Sequence, residues 1–116
     1  MFTVFGYLTK REDLSVEEFL DYYESHHVPL ILSLAPAPEV YKRHYVTRAD
    51  VVNLDEHALD FDVITELGFT DRAGFLAWIT AVSSGHAGDQ VAADEARFLD
   101  RSRTRSSVIE DRVTAA

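Results

Sequence analysis

Apolar and polar positions alternate along residues 2–9, Phe-Thr-Val-Phe-Gly-Tyr-Leu-Thr, and predict a strand. Phe2, Val4, Gly6 and Leu8 fall on one face, and Thr3, Phe5, Tyr7 and Thr9 on the other. Both faces carry apolar side chains, so both need cover. The period then becomes helical. Val16, Phe19, Leu20, Tyr23 and His27 share one stripe, and Glu17, Asp21 and Glu24 lie outside it. Ser15 and Glu18 form a capping box, with Leu14 and Phe19 at the staple positions around it. Pro29 disfavours helical geometry at Val28, so this helix is expected to stop near His27.

Further strands are predicted over 40–47, 61–69 and 105–113. In the third strand Phe61, Val63, Thr65, Leu67 and Phe69 alternate with Asp62, Ile64, Glu66 and Gly68. A second helix begins near Thr70 or Asp71 and buries Phe75, Leu76, Ile79 and Val82, and a short helix covers 89–98. The order β-α-β-β-α-(α)-β over residues 1–116 predicts a single α+β domain of ferredoxin-like split βαβ type. Its antiparallel sheet carries helices on one face only. The other face, apolar in part, predicts a homodimer whose two sheets pack together as a dimeric α+β barrel.

Composition narrows the partners. The 116 residues suit one domain, and with no cysteine there are no disulfides, thiol nucleophiles, iron–sulfur clusters or thiolate zinc sites. Eleven Lys and Arg against twenty Asp and Glu give a net charge of -9. That balance disfavours binding to nucleic acid or to an anionic membrane surface. The N-terminus lacks the pattern of a targeting segment, and no apolar run is long enough to span a bilayer, so a cytoplasmic location is the default expectation.

The five histidines are His26, His27, His44, His57 and His86. His26 and His27 diverge by about 100° on a helix and cannot face one small site. There is no His-x-x-x-His pair, Gly-rich phosphate loop or Gly-x-Ser-x-Gly elbow, which weakens metal, nucleotide and serine-hydrolase readings, and no cofactor is expected. His27 is the leading candidate, being on the buried stripe one turn after Tyr23. The helix end favours its charged form and burial its neutral form, a balance suited to acid–base work. A histidine that merely caps the helix end fits the same spacing.

Asp62 and Glu66 share a face of the third strand. If that face looks toward the first helix, Glu66 can orient His27 or polarise a substrate. If it looks away, the two acids can pair with Lys42 or Arg43. His44 shares its strand face with Lys42 and Val46, opposite Tyr41, Arg43 and Tyr45, so the two sets cannot all reach one site. Trp78 sits beside the second helix's stripe, as a pocket roof or as plain core. The acidic stretch 50–62 reads as a solvated loop, with His57 and His86 on the surface.

Three segments together resemble the EthD family. They are Phe19-x-x-Tyr22-Tyr23-x-x-x-His27-x-Pro29-Leu30, Phe61-Asp62-x-x-x-Glu66-x-x-Phe69 and Asp94-Glu95-x-x-Phe98-Leu99-Asp100, in the family's order. His27 matches the family's helix-end histidine and His26 does not. The resemblance implies a dimeric α+β barrel with a pocket between sheet and helices for a small organic molecule. It also implies cofactor-free decarboxylase, dehydratase or isomerase chemistry, with a histidine as proton shuttle. The expected function is therefore a cofactor-independent lyase or isomerase acting on a small hydrophobic or aromatic metabolite. In it His27 shuttles the proton and Glu66 fixes its tautomer or its charge. Phe5, Tyr23, Leu67 and Trp78 wall the pocket, with His44 and Asp62 as further substrate contacts. The alternative is a non-catalytic ligand-binding or accessory protein on the same fold.

Overall fold

Four strands hydrogen-bond into one antiparallel sheet: β1 (Phe2–Leu8), β2 (Val40–Tyr45), β3 (Val63–Phe69) and β4 (Arg105–Ile109), in the spatial order β2-β3-β1-β4. The helices are α1 (Val16–Tyr22), α2 (Val28–Leu34), α3 (Arg72–Ser83) and α4 (Gly85–Glu95). This computed structural model describes residues 1–54 and 58–115, so His57 and part of the acidic stretch lie outside the described residues.

Register sorts the side chains between the two faces. Val4 pairs with Leu67 and Val108, and Gly6 with Thr65 and Ser106, so this set points to one side. Their neighbours Val63, Leu8 and Phe69 are buried beneath the helices. Phe5 pairs with Glu66, and Lys42 sits across from Glu66 on β2, so these point to the other side. The split βαβ order and the one-sided helical layer agree with the sequence pattern.

The first helix does not stop at His27. Its capping box is present, with Ser15 and Glu18 each accepting the other's backbone N–H. The chain then widens into a π-helical turn over Tyr23–His27, where the Val28 N–H reaches back five residues to the Tyr23 carbonyl. α2 follows at once, with Pro29 in its first turn. A proline in a regular α-helix clashes with the carbonyl four residues back. The wide turn opens the carbonyl ladder just ahead of Pro29 and lets the rod continue. His27 is consequently embedded within a continuous helical rod, and the helix-end capping role that its spacing allowed does not apply.

Smaller differences have local causes. β3 begins at Val63 rather than 61, and β4 ends at Ile109 rather than 113. Val16 and Leu76 are about half exposed, while Trp78 packs inward beside Ile79 and Val82. The helix expected over 89–98 begins earlier, at Gly85, whose φ of 60° lets the chain turn sharply after α3. Gly88 then lets α4 approach α3 closely: a Cβ there would lie 2.5 Å from the Ser83 carbonyl carbon. Leu8, Phe19, Tyr23, Val63, Phe98 and Leu99 form one core cluster, and Ile31, Ala35, Val82 and Val91 another. His86 is exposed. Among the described residues no helix is long and apolar enough to cross a membrane.

Candidate functional site

A cavity of about 490 Å³ lies between the covered sheet face and the helices, a size suited to a small organic ligand. Its sheet side is small and flat where Gly6, Thr65 and Ser106 contribute. A Cβ on Gly6 would meet only ordinary contacts, so the missing side chain is open volume rather than relief of a clash. Ile31, Trp78, Ile79 and Val82 give the helical side its apolar wall. Trp78 also places an indole N–H in buried surroundings with no hydrogen-bond partner among the described residues. The polar lining includes His27, Tyr23, Tyr41, Glu95 and Arg101.

The histidine is held from behind. Its Nδ1–H donates to Asp94 Oδ2 at 2.7 Å, and the Tyr22 hydroxyl donates to Asp94 Oδ1, also at 2.7 Å. The imidazole and carboxylate side chains are 8% and 10% exposed. A carboxylate only accepts, so Asp94 fixes the proton on Nδ1 and leaves the Nε2 lone pair available. Nε2 has no protein hydrogen-bond partner among the described residues. Phe98 and Tyr23 hold the ring by its faces and edge, at centroid distances of 5.0 and 5.1 Å. Burial and the Asp94 carboxylate push the Tyr22 phenol up to about 12. It therefore remains a donor to Asp94 across the physiological range.

The cavity phenols stay protonated for a related reason. Burial pushes Tyr41 up to about 12 and Tyr23 well above the ordinary phenol value. Tyr23 shares a 2.5 Å hydrogen bond with the Thr65 hydroxyl, which ties the π-helical turn to β3. Behind this layer Glu24 accepts from Arg43 at 2.7 and 2.9 Å and from the Tyr45 hydroxyl at 2.5 Å.

Tyr23, Leu67, Trp78 and His27 line one cavity. Glu66, His44 and Phe5 do not. Glu66 lies on the open face of the sheet, where His44 Nε2–H donates to it at 3.0 Å, and Phe5 is its register partner on that same face. The whole sheet therefore separates Glu66 from His27. The strand's period of two makes this unavoidable once Thr65 and Leu67 face the helices. Asp62 is also elsewhere: it accepts from the Lys10 backbone N–H and from Arg48, each at 2.8 Å, and anchors a loop. Arg43 is taken by Glu24 rather than by an acid of β3.

The acid that serves His27 is Asp94, which the strand-based reading passed over. A signal for it exists in the sequence. Val91, Asp94 and Phe98 follow helical spacing, and all three are buried, so an acid occupies a core position on a helix. Such a carboxylate demands a partner. Among the described residues no three His, Asp or Glu side chains converge as a metal-binding group.

A one-sided α+β sandwich enclosing a cavity, with a carboxylate-backed imidazole in its wall, is the class this geometry defines. The chain belongs to the EthD domain family, whose pattern matches residues 11–102. Solved structures share the fold at low identity. An EthD family protein from Bacillus halodurans C-125 has a TM-score of 0.63 at 16% identity, covering 97% of this chain and 100% of that one. HapK from Hahella chejuensis gives 0.61 at 15%, covering 100% and 99%. At3g17210 from Arabidopsis thaliana gives 0.66 at 12%, covering 100% of both chains. No curated protein matches the sequence significantly.

Proposed function

We propose that this protein is a cofactor-independent lyase or isomerase whose ligand, a small hydrophobic or aromatic metabolite, occupies the cavity beside His27. The single observation that carries this reading is the His27–Asp94 pair: a buried imidazole with Nδ1 locked by a carboxylate and Nε2 left without a protein partner, in the wall of a ligand-sized space. In this role Nε2 takes a proton from the ligand and returns it at a second position, and Asp94 stabilises the imidazolium between the two transfers. The apolar wall binds the ligand's hydrocarbon part and excludes water, which strengthens the charge interactions inside.

The same reading places a second copy of the chain on the open sheet face, where Phe5, Tyr7 and Ile64 give apolar surface in a sheet that has no helices on that side. Sedimentation at equilibrium tests this directly, with twice the chain mass expected.

Catalysis is tested by incubating the purified protein with aromatic ketones, lactones and phenolic acids and following products by NMR. Turnover by the native chain, reduced at least about 100-fold in His27→Gln with an unchanged circular dichroism spectrum, is the expected result. Equal turnover in the variant removes His27 from the mechanism. Saturable binding with no product from any compound assigns the cavity to ligand carriage.

A further inference from the structure

Glu95 is adjacent to Asp94, yet the two carboxylates do different things. About 100° separates neighbours on a helix. Asp94 turns toward Tyr22 and His27 and disappears from solvent, whereas Glu95 turns into the cavity wall that His27 also lines. Asp94 has both oxygens hydrogen-bonded. Among the described residues the Glu95 carboxylate has one partner, the Arg101 guanidinium at 3.5 Å, and its side chain is 27% exposed. The cavity wall therefore holds an imidazole and a carboxyl together, at His27 and Glu95.

We propose that Glu95 is a second catalytic residue, the acid that works opposite the His27 base, and that the ligand is a carbonyl compound bearing an ionisable C–H next to its carbonyl. This rests on the reading of the cavity as a proton-transfer site. His27 Nε2 takes the proton from the carbon. The C–H electron pair becomes the carbon–carbon double bond, and the carbonyl π pair moves to oxygen, which takes the Glu95 proton. The enol is left with an imidazolium at His27 and a carboxylate at Glu95. Where a second carbon–carbon double bond adjoins the deprotonated carbon, the enol is a dienol: the His27 proton goes to its far carbon, the double bond moves into conjugation, and the enol proton returns to Glu95, which completes an isomerisation with no redox partner.

The surroundings of Glu95 suit that role. Burial raises its pKa from the ordinary carboxylate value, and the Asp94 charge adds to this, while His27 and Arg101 pull it down. Asp89, nearly two turns earlier on α4, also lines the cavity. A carboxyl whose protonated form is favoured by burial is a better donor to a forming enolate than an ordinary exposed glutamate. Because the acid must be protonated, activity falls as pH rises through the Glu95 pKa.

The test is hydrogen–deuterium exchange at the carbon next to the carbonyl in 2-indanone and 2-coumaranone, followed by NMR in D₂O across pH. The native chain is expected to accelerate exchange. Glu95→Gln is expected to lower kcat by about 100-fold while KM changes little, and to lose the falling limb at high pH. Arg101→Gln, which removes the cation beside Glu95, is expected to move that limb to higher pH. A Glu95→Gln protein with native kcat and an unchanged pH profile overturns the assignment of Glu95, while loss of exchange in His27→Gln leaves the His27 reading standing. A His27→Gln protein that exchanges as fast as the native chain overturns the His27 reading itself. A native chain that exchanges neither probe overturns the carbonyl ligand class.

Discussion

Two imidazole–carboxylate pairs of nearly equal length stand among the described residues, His27–Asp94 at 2.7 Å and His44–Glu66 at 3.0 Å, on opposite sides of one sheet. Their surroundings differ far more than their geometry. The first pair is 8% and 10% exposed, beneath helices and beside a cavity. The second is 51% and 25% exposed, on the face without helices. Water screens the second pair and can replace either partner, so the contact is worth little. The first pair has no such substitute. Its carboxylate must be satisfied by His27 and Tyr22, and its imidazole is held in one tautomer as a result. Burial thus turns an ordinary ion-pair contact into a device with one defined proton acceptor.

Removing partners should expose this contrast most strongly. His27→Ala leaves the Asp94 carboxylate buried with Tyr22 alone, and a cost of about 3–5 kcal/mol is expected in urea denaturation. His44→Ala, measured the same way, is expected to cost about 0–1 kcal/mol. Equal costs would erase the distinction between the two sides. Asp94→Asn keeps shape and loses charge, and is expected to cost about 1–3 kcal/mol. It should also lower turnover, because the amide no longer enforces a proton on Nδ1; a change in stability with unchanged kcat would make Asp94 purely structural.

Titration gives smaller effects with opposite signs for two glutamates. The hydrogen bond from Arg43 lowers the Glu24 pKa against the opposing effect of burial, and the Tyr45 hydroxyl helps. Its contribution to stability is therefore present above the ordinary value of 4.5 and is lost as pH falls through the lower folded value. Glu24→Gln should flatten the acid side of a stability–pH curve. Glu95 is raised by burial, so folding disfavours its ionisation and stability declines as pH rises from 4.5 through the higher folded value. Glu95→Gln should be the more stable protein at pH 7, with the difference vanishing well below pH 4.5. A Glu95→Gln chain that is less stable than the native one at pH 7 contradicts the burial of that carboxyl. Smallest of all, Glu66→Gln is expected to shift the unfolding free energy by about 0–1 kcal/mol and to leave turnover unaltered.

The one-dimensional pattern was informative wherever a local period decides the outcome. Alternation separated Val4 from Phe5 within β1, and Thr65 and Leu67 from Glu66 within β3, and the capping box located the start of α1. The same alternation left open which face meets the helices, and that choice moved Glu66, His44 and Phe5 away from the cavity. Pro29 was misleading because a local rule about proline cannot foresee a π-helical turn, whose wider hydrogen bonding is stabilised by Tyr23 and His27 packing into the core. The Asp94 partner was less legible still. Residues 27 and 94 are separated by 67 positions, and nothing along the chain records which distant acid meets a given histidine.

Two kinds of information therefore divide the protein. Hydrogen-bonding periodicity and the placement of apolar side chains act over a few residues, so the chain by itself determined where its four strands fall, the split βαβ class and the inward direction of His27. Which buried charges neutralise one another depends on where packed layers meet. Only the tertiary structure decided that Asp94 and Tyr22 back the imidazole, that Glu95 enters the cavity, and that Glu66 lies across the sheet from all of them, because a carboxylate finds its partner through space and not along the backbone.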